Sequence, residues 1–256
     1  ILNHQSNKDN FYKIFGDENK ISNLLKNKIS KDFYEIINTD KVVKSSDSPL
    51  EGAKRGKTTS MWLAIESVKN KEADIVTSAG NTGALLVISK LNLNMIENID
   101  KPALSALWPN KKGMSVVLDL GANIECNSKN LFDFSIMGAS LYTSLYPNGK
   151  PNIALLNIGS EELKGNEIIK ETFQILNEKN SNNFNFAGYI EGNELMNGDV
   201  NVIVSDGFTG NVALKTAEGT ANFITSELKK TMTNSLLGKI STLLNFSNLR
   251  KFKKRL

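Results

Sequence analysis

The sequence predicts an α/β fold: a largely parallel sheet covered by helices on both faces. Three observations carry that expectation. Apolar runs of strand length alternate with segments of helical periodicity along the chain. Runs such as Ile153–Ile158 are apolar nearly throughout, as strands buried on both faces require. Several of these runs end in small, polar, glycine-containing turns that lead into helical segments.

Residues 1–32 are polar and Asn-rich, with a helical pattern around Ile21, Leu24, Leu25 and Ile29. Tyr34–Thr39 reads as a short strand. Pro49–Asn70 reads as one helix with Ala53, Met61, Ala64, Ile65 and Val68 on its core side. Ala73–Ser78 is expected as a strand, with a helix beginning at Ala84–Ser89. Pro102–Leu107 and Met114–Leu120 have strand length, and Leu131–Leu145 is helical. Ile153–Ile158, Phe184–Ile190 and Val200–Ser205 are expected strands; Glu161–Asn177 and Asn211–Lys230 are expected helices. No internal repeat is visible. The expected organisation is an α/β body over 1–228 and a basic amphipathic helical segment over 229–256.

Composition narrows the class. With 256 residues, 40% hydrophobic and 23% charged, the chain is long enough for a substantial core, which excludes disordered, collagen-like and disulfide-scaffold classes. Cys126 is the one cysteine and His4 the one histidine. An intramolecular disulfide, a multi-histidine metal site and a Ser-His-Asp or Cys-His machinery are therefore excluded. No metal or cofactor is expected, and a reducing cytoplasm fits. No apolar run reaches the roughly 18 residues that span a bilayer. The chain opens on Ile-Leu-Asn-His, without Met, and reads as starting within a longer protein. Residues 229–256 hold eight Lys/Arg and no Asp/Glu, so the remaining 23 cations face all 27 acids. The net +4 is thus an acidic body of −4 joined to a segment of +8.

The chemistry is expected at four turns: Ser78–Gly83, Asp119–Asn123, Asn157–Asn166 and Ser205–Asn211. In open α/β sheets ligands bind beyond the carboxyl ends of strands. Glycine lets backbone approach a ligand there, and a following helix start offers free N–H groups to an anion. One such turn is ordinary; four suggest a shared phosphate-sized site. Gly52-Ala-Lys-Arg-Gly56-Lys57-Thr58 is not a P-loop, having three residues between its glycines and no preceding strand. Lys164 could hold a phosphate or polarise a carbonyl oxygen, or simply be solvated. Asn211 could cap the last long helix or donate to a substrate. Asp206 could orient a neighbour, bind a metal or simply be a turn residue. The residues alone leave these alternatives open, and Cys126 reads as a small semi-buried hydrophobe.

Taken together, the turns closely resemble the PlsX-type phosphate acyltransferases of bacterial phospholipid synthesis. The matching motifs are Ser78–Gly83 with Ala84-Leu85, Lys101–Leu104, Leu118–Asn123, Leu155–Gly159, Glu161–Glu167, Ile190–Gly192, Asp206–Asn211 and Leu214–Gly219. They run in family order from about residue 11 to 230. The resemblance implies an α/β/α sandwich related to isocitrate and isopropylmalate dehydrogenases, assembled as a homodimer. It implies transfer of an acyl group from acyl-carrier protein to inorganic phosphate. It assigns Lys164 and Asn211 to activity and matches Asn81, Thr82 and Gly83 to the turn lining the active site; Asn123, Gly165, Asn166, Asp206 and Gly207, in the other three turns, are the further candidate phosphate-binding residues. Family members also begin with a strand and Met-Gly-Gly-Asp, and continue through Gly-Ala-Pro-Leu-Leu-Gly and a His-Gly turn. Those segments are not in this sequence, so a fragment is expected. The alternative readings are a phosphotransacetylase-like enzyme using acyl-CoA and a non-catalytic fragment that binds carrier protein or membrane.

Leu236, Leu237, Ile240, Leu243, Leu244 and Ser247 fall at helical spacing, followed by Arg250, Lys251, Lys253, Lys254 and Arg255. The residues fit either a buried dimer-interface helix or one lying on an anionic bilayer. The family resemblance favours peripheral contact with the inner face of the cell membrane. Acyl-carrier protein is another partner for the same cations. Nucleic-acid binding is not expected, because the cations sit at one end with few interleaved aromatics.

Overall fold

A computed structural model describes residues 10–26, 28–147, 149–179 and 183–253. The chain forms two compact units, Ile1–Asn98 and Ile99–Leu256.

In the first unit, β1 (Tyr12–Gly16) and β2 (Tyr34–Asn38) pair in parallel, joined through α1 (Glu18–Leu25). Next come α2 (Pro49–Lys54), α3 (Ser60–Lys69) and α4 (Thr82–Asn92). Each helix starts on a side-chain cap: Asp17, Ser48, Thr59 and Asn81, with Ser48 and Glu51 forming a capping box. Met61, Ile65, Ala84 and Ile88 form the buried core of this unit, with Val43, Ala53, Trp62, Val76, Leu85 and Leu93 packed around it.

Two expectations fail here. Pro49–Asn70 is two helices, because Gly56 adopts φ +102° and Thr59 turns its side chain to the N–H of Trp62 to start a new helix. Ala73–Ser78 is not a strand. An extended run becomes a strand only beside a ladder that takes its N–H and C=O groups, and this run has none. Its Ile75 is 80% exposed.

The second unit carries a five-stranded sheet in the order β3-β4-β7-β5-β6. Its strands are β3 (Ser105–Asn110), β4 (Gly113–Leu118), β5 (Asn152–Asn157), β6 (Asn185–Glu191) and β7 (Val202–Val204). Only the β3–β4 hairpin is antiparallel. Alternation along the strands sends side chains to two cores. Val116, Leu118, Ile153, Leu155, Val202 and Val204 pack with residues of α5 (Ser128–Leu145) and α6 (Glu167–Glu178). Val117, Ala154, Leu156 and Ile203 face Ala213, Leu214 and Ala217 of α7 (Gly207–Thr233). The result is the expected α/β/α sandwich. Close layer packing depends on Gly138 of α5, where a β-carbon would come within 2.9 Å of a Leu118 methyl.

Several boundaries move, among them β3, expected over Pro102–Leu107 and observed over Ser105–Asn110, and α5, which starts at Ser128 instead of Leu131. Gly165 (φ +95°) and the Asn166 cap delay α6 to Glu167, so 161–166 is a loop. α7 starts at Gly207, four residues before the expected start, and runs through position 228 to Thr233. The expected C-terminal stripe is not one helix: α8 (Leu236–Leu244) ends at Asn245, and Ser247 lies on a separate α9 (Phe246–Lys253). α8 folds back on α7, where Thr242 Oγ1 donates to the Met232 carbonyl at 3.1 Å. Lys254 and Arg255 lie outside the described residues. Among the described residues, no helix is long and apolar enough to cross a membrane.

Candidate active site

The central strands β4, β7 and β5 are neighbours and run parallel, so their carboxyl ends share one sheet edge. Three of the four glycine-containing turns follow these strands. After β4 and β5 the chain passes to α5 and α6 on one face; after β7 it passes to α7 on the other. Such a reversal of connection opens a crevice at the strand ends.

The turn after β4 is organised by Asp119, whose side chain is fully buried. Its Oδ1 accepts from the N–H groups of Leu104, Gly121 and Ala122 at 2.9, 3.2 and 3.0 Å. Its Oδ2 accepts from the Asn123 N–H and from Asn123 Nδ2, both at 2.8 Å. Asn123 Nδ2 also donates to the Pro102 carbonyl at 2.7 Å. Asn123 is thus committed to holding the loop. Sequence reasoning assigned no role to Asp119. An Asp directly before Leu-Gly-Ala-Asn could have been read as an acceptor for turn N–H groups.

The turn after β7 is fitted to that loop. The Gly207 N–H donates to the Asn123 carbonyl at 2.8 Å, and a β-carbon on Gly207 would lie 2.5 Å from the same oxygen. Asp206 caps α7, accepting from the Thr209 N–H and Oγ1, both at 2.8 Å. The cap is therefore Asp206 and not Asn211. Asn211 lies one turn into α7, exposed, with its carboxamide making no hydrogen bond to the described residues. Its Cβ and Cγ lie over Gly121 (φ +127°), each 3.4 Å from where a β-carbon there would be.

After β5, Asn157 Nδ2 donates to the carbonyls of Gly159 and Lys164, both at 3.1 Å, closing the loop on itself. Gly165 sits against the Asn157 carboxamide, and Asn166 caps α6 through the Ile169 N–H at 2.9 Å. Lys164 itself is exposed. Its Nζ is 4.0 Å from Glu161 Oε1, a loose surface pair that water and salt screen heavily. An anion arriving at Lys164 thus displaces little.

The fourth turn belongs to the first unit. Asn81 caps α4 through the Ala84 N–H at 2.9 Å and donates from Nδ2 to the Asp47 carbonyl at 2.7 Å. Thr82 and Gly83 form the first turn of α4. Asn81, Asn123, Asn166 and Asp206 accordingly spend their side chains on architecture, whereas Lys164 and Asn211 do not. Burial pushes the Cys126 thiol above its usual range, so it is poorly ionised at neutral pH. Among the described residues, no group of three or more His, Cys, Asp or Glu side chains could hold a metal ion.

Comparison with known proteins shows the family and the fold. The model of a family described as "Fatty acid synthesis protein" matches residues 1–256. A phosphate acyltransferase of Pelagibacter ubique is 73% identical over 257 residues, covering all of this chain and 77% of its relative. Another from Maricaulis maris is 42% identical over 248 residues, covering 96% of this chain and 70% of the relative. Among solved structures, the EutD phosphotransacetylase from Staphylococcus aureus superposes with a TM-score of 0.54 at 16% identity. It covers 83% of this chain and 74% of that one, a likeness of fold alone. The chain belongs to the phosphate acyltransferase family of fatty acid synthesis proteins.

Proposed function

We propose that this protein transfers the acyl group of an acyl-[acyl-carrier-protein] thioester to inorganic phosphate, forming acyl phosphate for phospholipid synthesis. The observation that carries the reading is the set of turns on adjacent strand ends, in which Lys164 and Asn211, the two residues the family resemblance assigns to activity, are exposed and make no side-chain hydrogen bond to the described residues. A phosphate oxygen attacks the thioester carbonyl carbon and a C–O bond forms. The tetrahedral oxyanion then collapses, the C–S bond breaks, and sulfur leaves with its electron pair as the carrier's thiolate. Phosphate is itself the nucleophile, so no catalytic Ser, Cys or His is required. The protein's part is to hold phosphate in line and stabilise the oxyanion. Lys164 supplies the positive charge for phosphate or oxyanion, and Asn211 donates a hydrogen bond.

The experiment is acyl-phosphate detection by hydroxylamine trapping, with phosphate plus either acyl-[acyl-carrier-protein] or acyl-CoA as donor. Product from the carrier-protein donor is expected. Product from acyl-CoA alone would make the enzyme a phosphotransacetylase, and none from either would overturn the reading.

A second element of the proposal concerns the C-terminal helices. Leu236, Leu237, Ile240, Leu243 and Leu244 of α8 are all exposed, and Arg250 and Lys251 follow on α9. We propose that this surface rests on the anionic inner face of the cell membrane. A second copy of the chain is the competing occupant.

A further inference from the structure

We propose that Asp119 is a positioning residue for Asn211: its buried carboxylate shapes the Gly121–Asn123 loop into the bed on which the Asn211 side chain rests. The five hydrogen bonds to its two oxygens fix the N–H groups of three consecutive loop residues. That fixes Gly121, whose α-hydrogen side is filled by Asn211 Cβ and Cγ at ordinary contact distance. It also fixes the Asn123 carbonyl, which receives the Gly207 N–H and so anchors the first turn of the helix that carries Asn211. The Asp119 N–H donates to the Ser205 carbonyl at 3.0 Å and the Ser205 N–H to the Leu118 carbonyl at 2.8 Å, tying the same two segments from beneath. Two routes thus run from one carboxylate to one carboxamide, through the bed and through the helix start. The Asn211 carboxamide has no hydrogen bond to the described residues that would define its orientation, so loop contact sets it. Replacing one carboxylate oxygen by an amide would oppose a donor to the Gly121, Ala122 or Asn123 N–H and displace the bed.

The kinetic part of the test rests on the proposed acyl transfer; the spectroscopic part does not. A double-mutant cycle uses Asp119→Asn and Asn211→Ala. Loss of one oxyanion donor lowers kcat about 10²-fold or more. Asp119→Asn is expected to lower kcat about tenfold or more when Asn211 is present, and less than about threefold in the Asn211→Ala background. The same fold loss in both backgrounds would overturn the inference. Should Asp119→Asn fail to fold, Gly121→Ala enters the same cycle, since at φ +127° a β-carbon strains the loop on which Asn211 rests while the Asp119 carboxylate is retained. Equal losses again overturn the proposal. In parallel, the Asn211 side-chain NH₂ resonance, assigned by its disappearance in Asn211→Ala, is expected to shift in Asp119→Asn or Gly121→Ala. An unmoved resonance overturns the positioning role whether or not the protein forms acyl phosphate. An inactive unmodified protein overturns the proposed function alone.

Discussion

Gly210 lies so close beneath the main-chain carbonyl of Asp119 that a β-carbon at position 210 would overlap that oxygen. The contact seats the first turn of α7 directly on the end of β4. Gly210→Ala therefore sets helix propensity against sterics. Alanine gains up to about 1 kcal/mol inside a helix, while overpacking against a fixed neighbour costs about 1–3 kcal/mol. The neighbour here is backbone, with no rotamer to yield, so the clash prevails. Gly219 of the same helix, with nothing within 4 Å of its missing β-carbon, is the control. Thermal melts are expected to show Gly210→Ala less stable, by about 2–4 °C for each kcal/mol lost. Gly219→Ala should be unchanged or more stable. Equal melting of the two variants would contradict the seating.

Lys164 is exposed and loosely paired, so its removal should cost catalysis without stability. Lys164→Ala is expected to leave unfolding free energy within about 0.5 kcal/mol, as for other surface changes. Its rate of acyl-phosphate formation should fall about 10²–10³-fold, the usual loss on removing a group that stabilises developing negative charge. A wild-type rate would take Lys164 out of the chemistry.

What could be read in the sequence depended on how local the physics is. Ile153–Ile158 and Val200–Ser205 announce buried parallel strands because strands covered on both faces are apolar nearly throughout, as these are but for Asn157, Asn201 and Ser205. The break inside Pro49–Asn70 was hidden because Met61 and Ile65 keep helical spacing with Ala53 across Gly56, and periodicity does not register a change of axis. Ala73–Ser78 has the composition of a strand, but no neighbouring strand pairs with it. At the site, Lys164 and Asn211 were visible through their motifs. For Asp119 only the bonds within its own turn were legible locally, since its bond to Leu104 spans fifteen residues and its effect on Asn211 spans ninety-two. The sequence offered Asn211 as the α7 cap, whereas Asp206 takes that place; both residue types favour it, so local composition does not decide between them.

Acid should loosen the first unit through Asp47. The Arg55 guanidinium beside it, helped by the Lys44 N–H, holds the Asp47 carboxyl below its ordinary value of 3.8. A carboxylate with a lowered folded-state pKa contributes stability above its unfolded value and loses it as pH falls through the folded one. Melting temperature is therefore expected to be flat from neutral pH to about 5 and to fall below 4, with part of that fall absent in Asp47→Asn. The pair is partly exposed at Arg55, so the effect should shrink with added salt. An identical acid profile in Asp47→Asn would show that the pair contributes nothing.

The surface of α8 provides the last test. Leu237 is 80% exposed and its apolar neighbours are nearly as open, an arrangement that costs free energy in water and is relieved by an apolar or interfacial environment. Each Lys or Arg near an anionic bilayer adds about 1 kcal/mol of attraction. Insertion and charge should therefore act together: cosedimentation with anionic vesicles stronger than with neutral ones, and weakened by salt as screening shortens. Leu237→Glu changes both terms in the unfavourable direction at one position, burying no hydrocarbon and adding a charge that the bilayer repels. Its binding to anionic vesicles is expected to fall about tenfold or more, since roughly 1.4 kcal/mol suffices for that factor. If vesicle binding persists in the variant while its oligomeric state by light scattering drops, the α8 surface joins two copies of the chain and not the protein to the membrane.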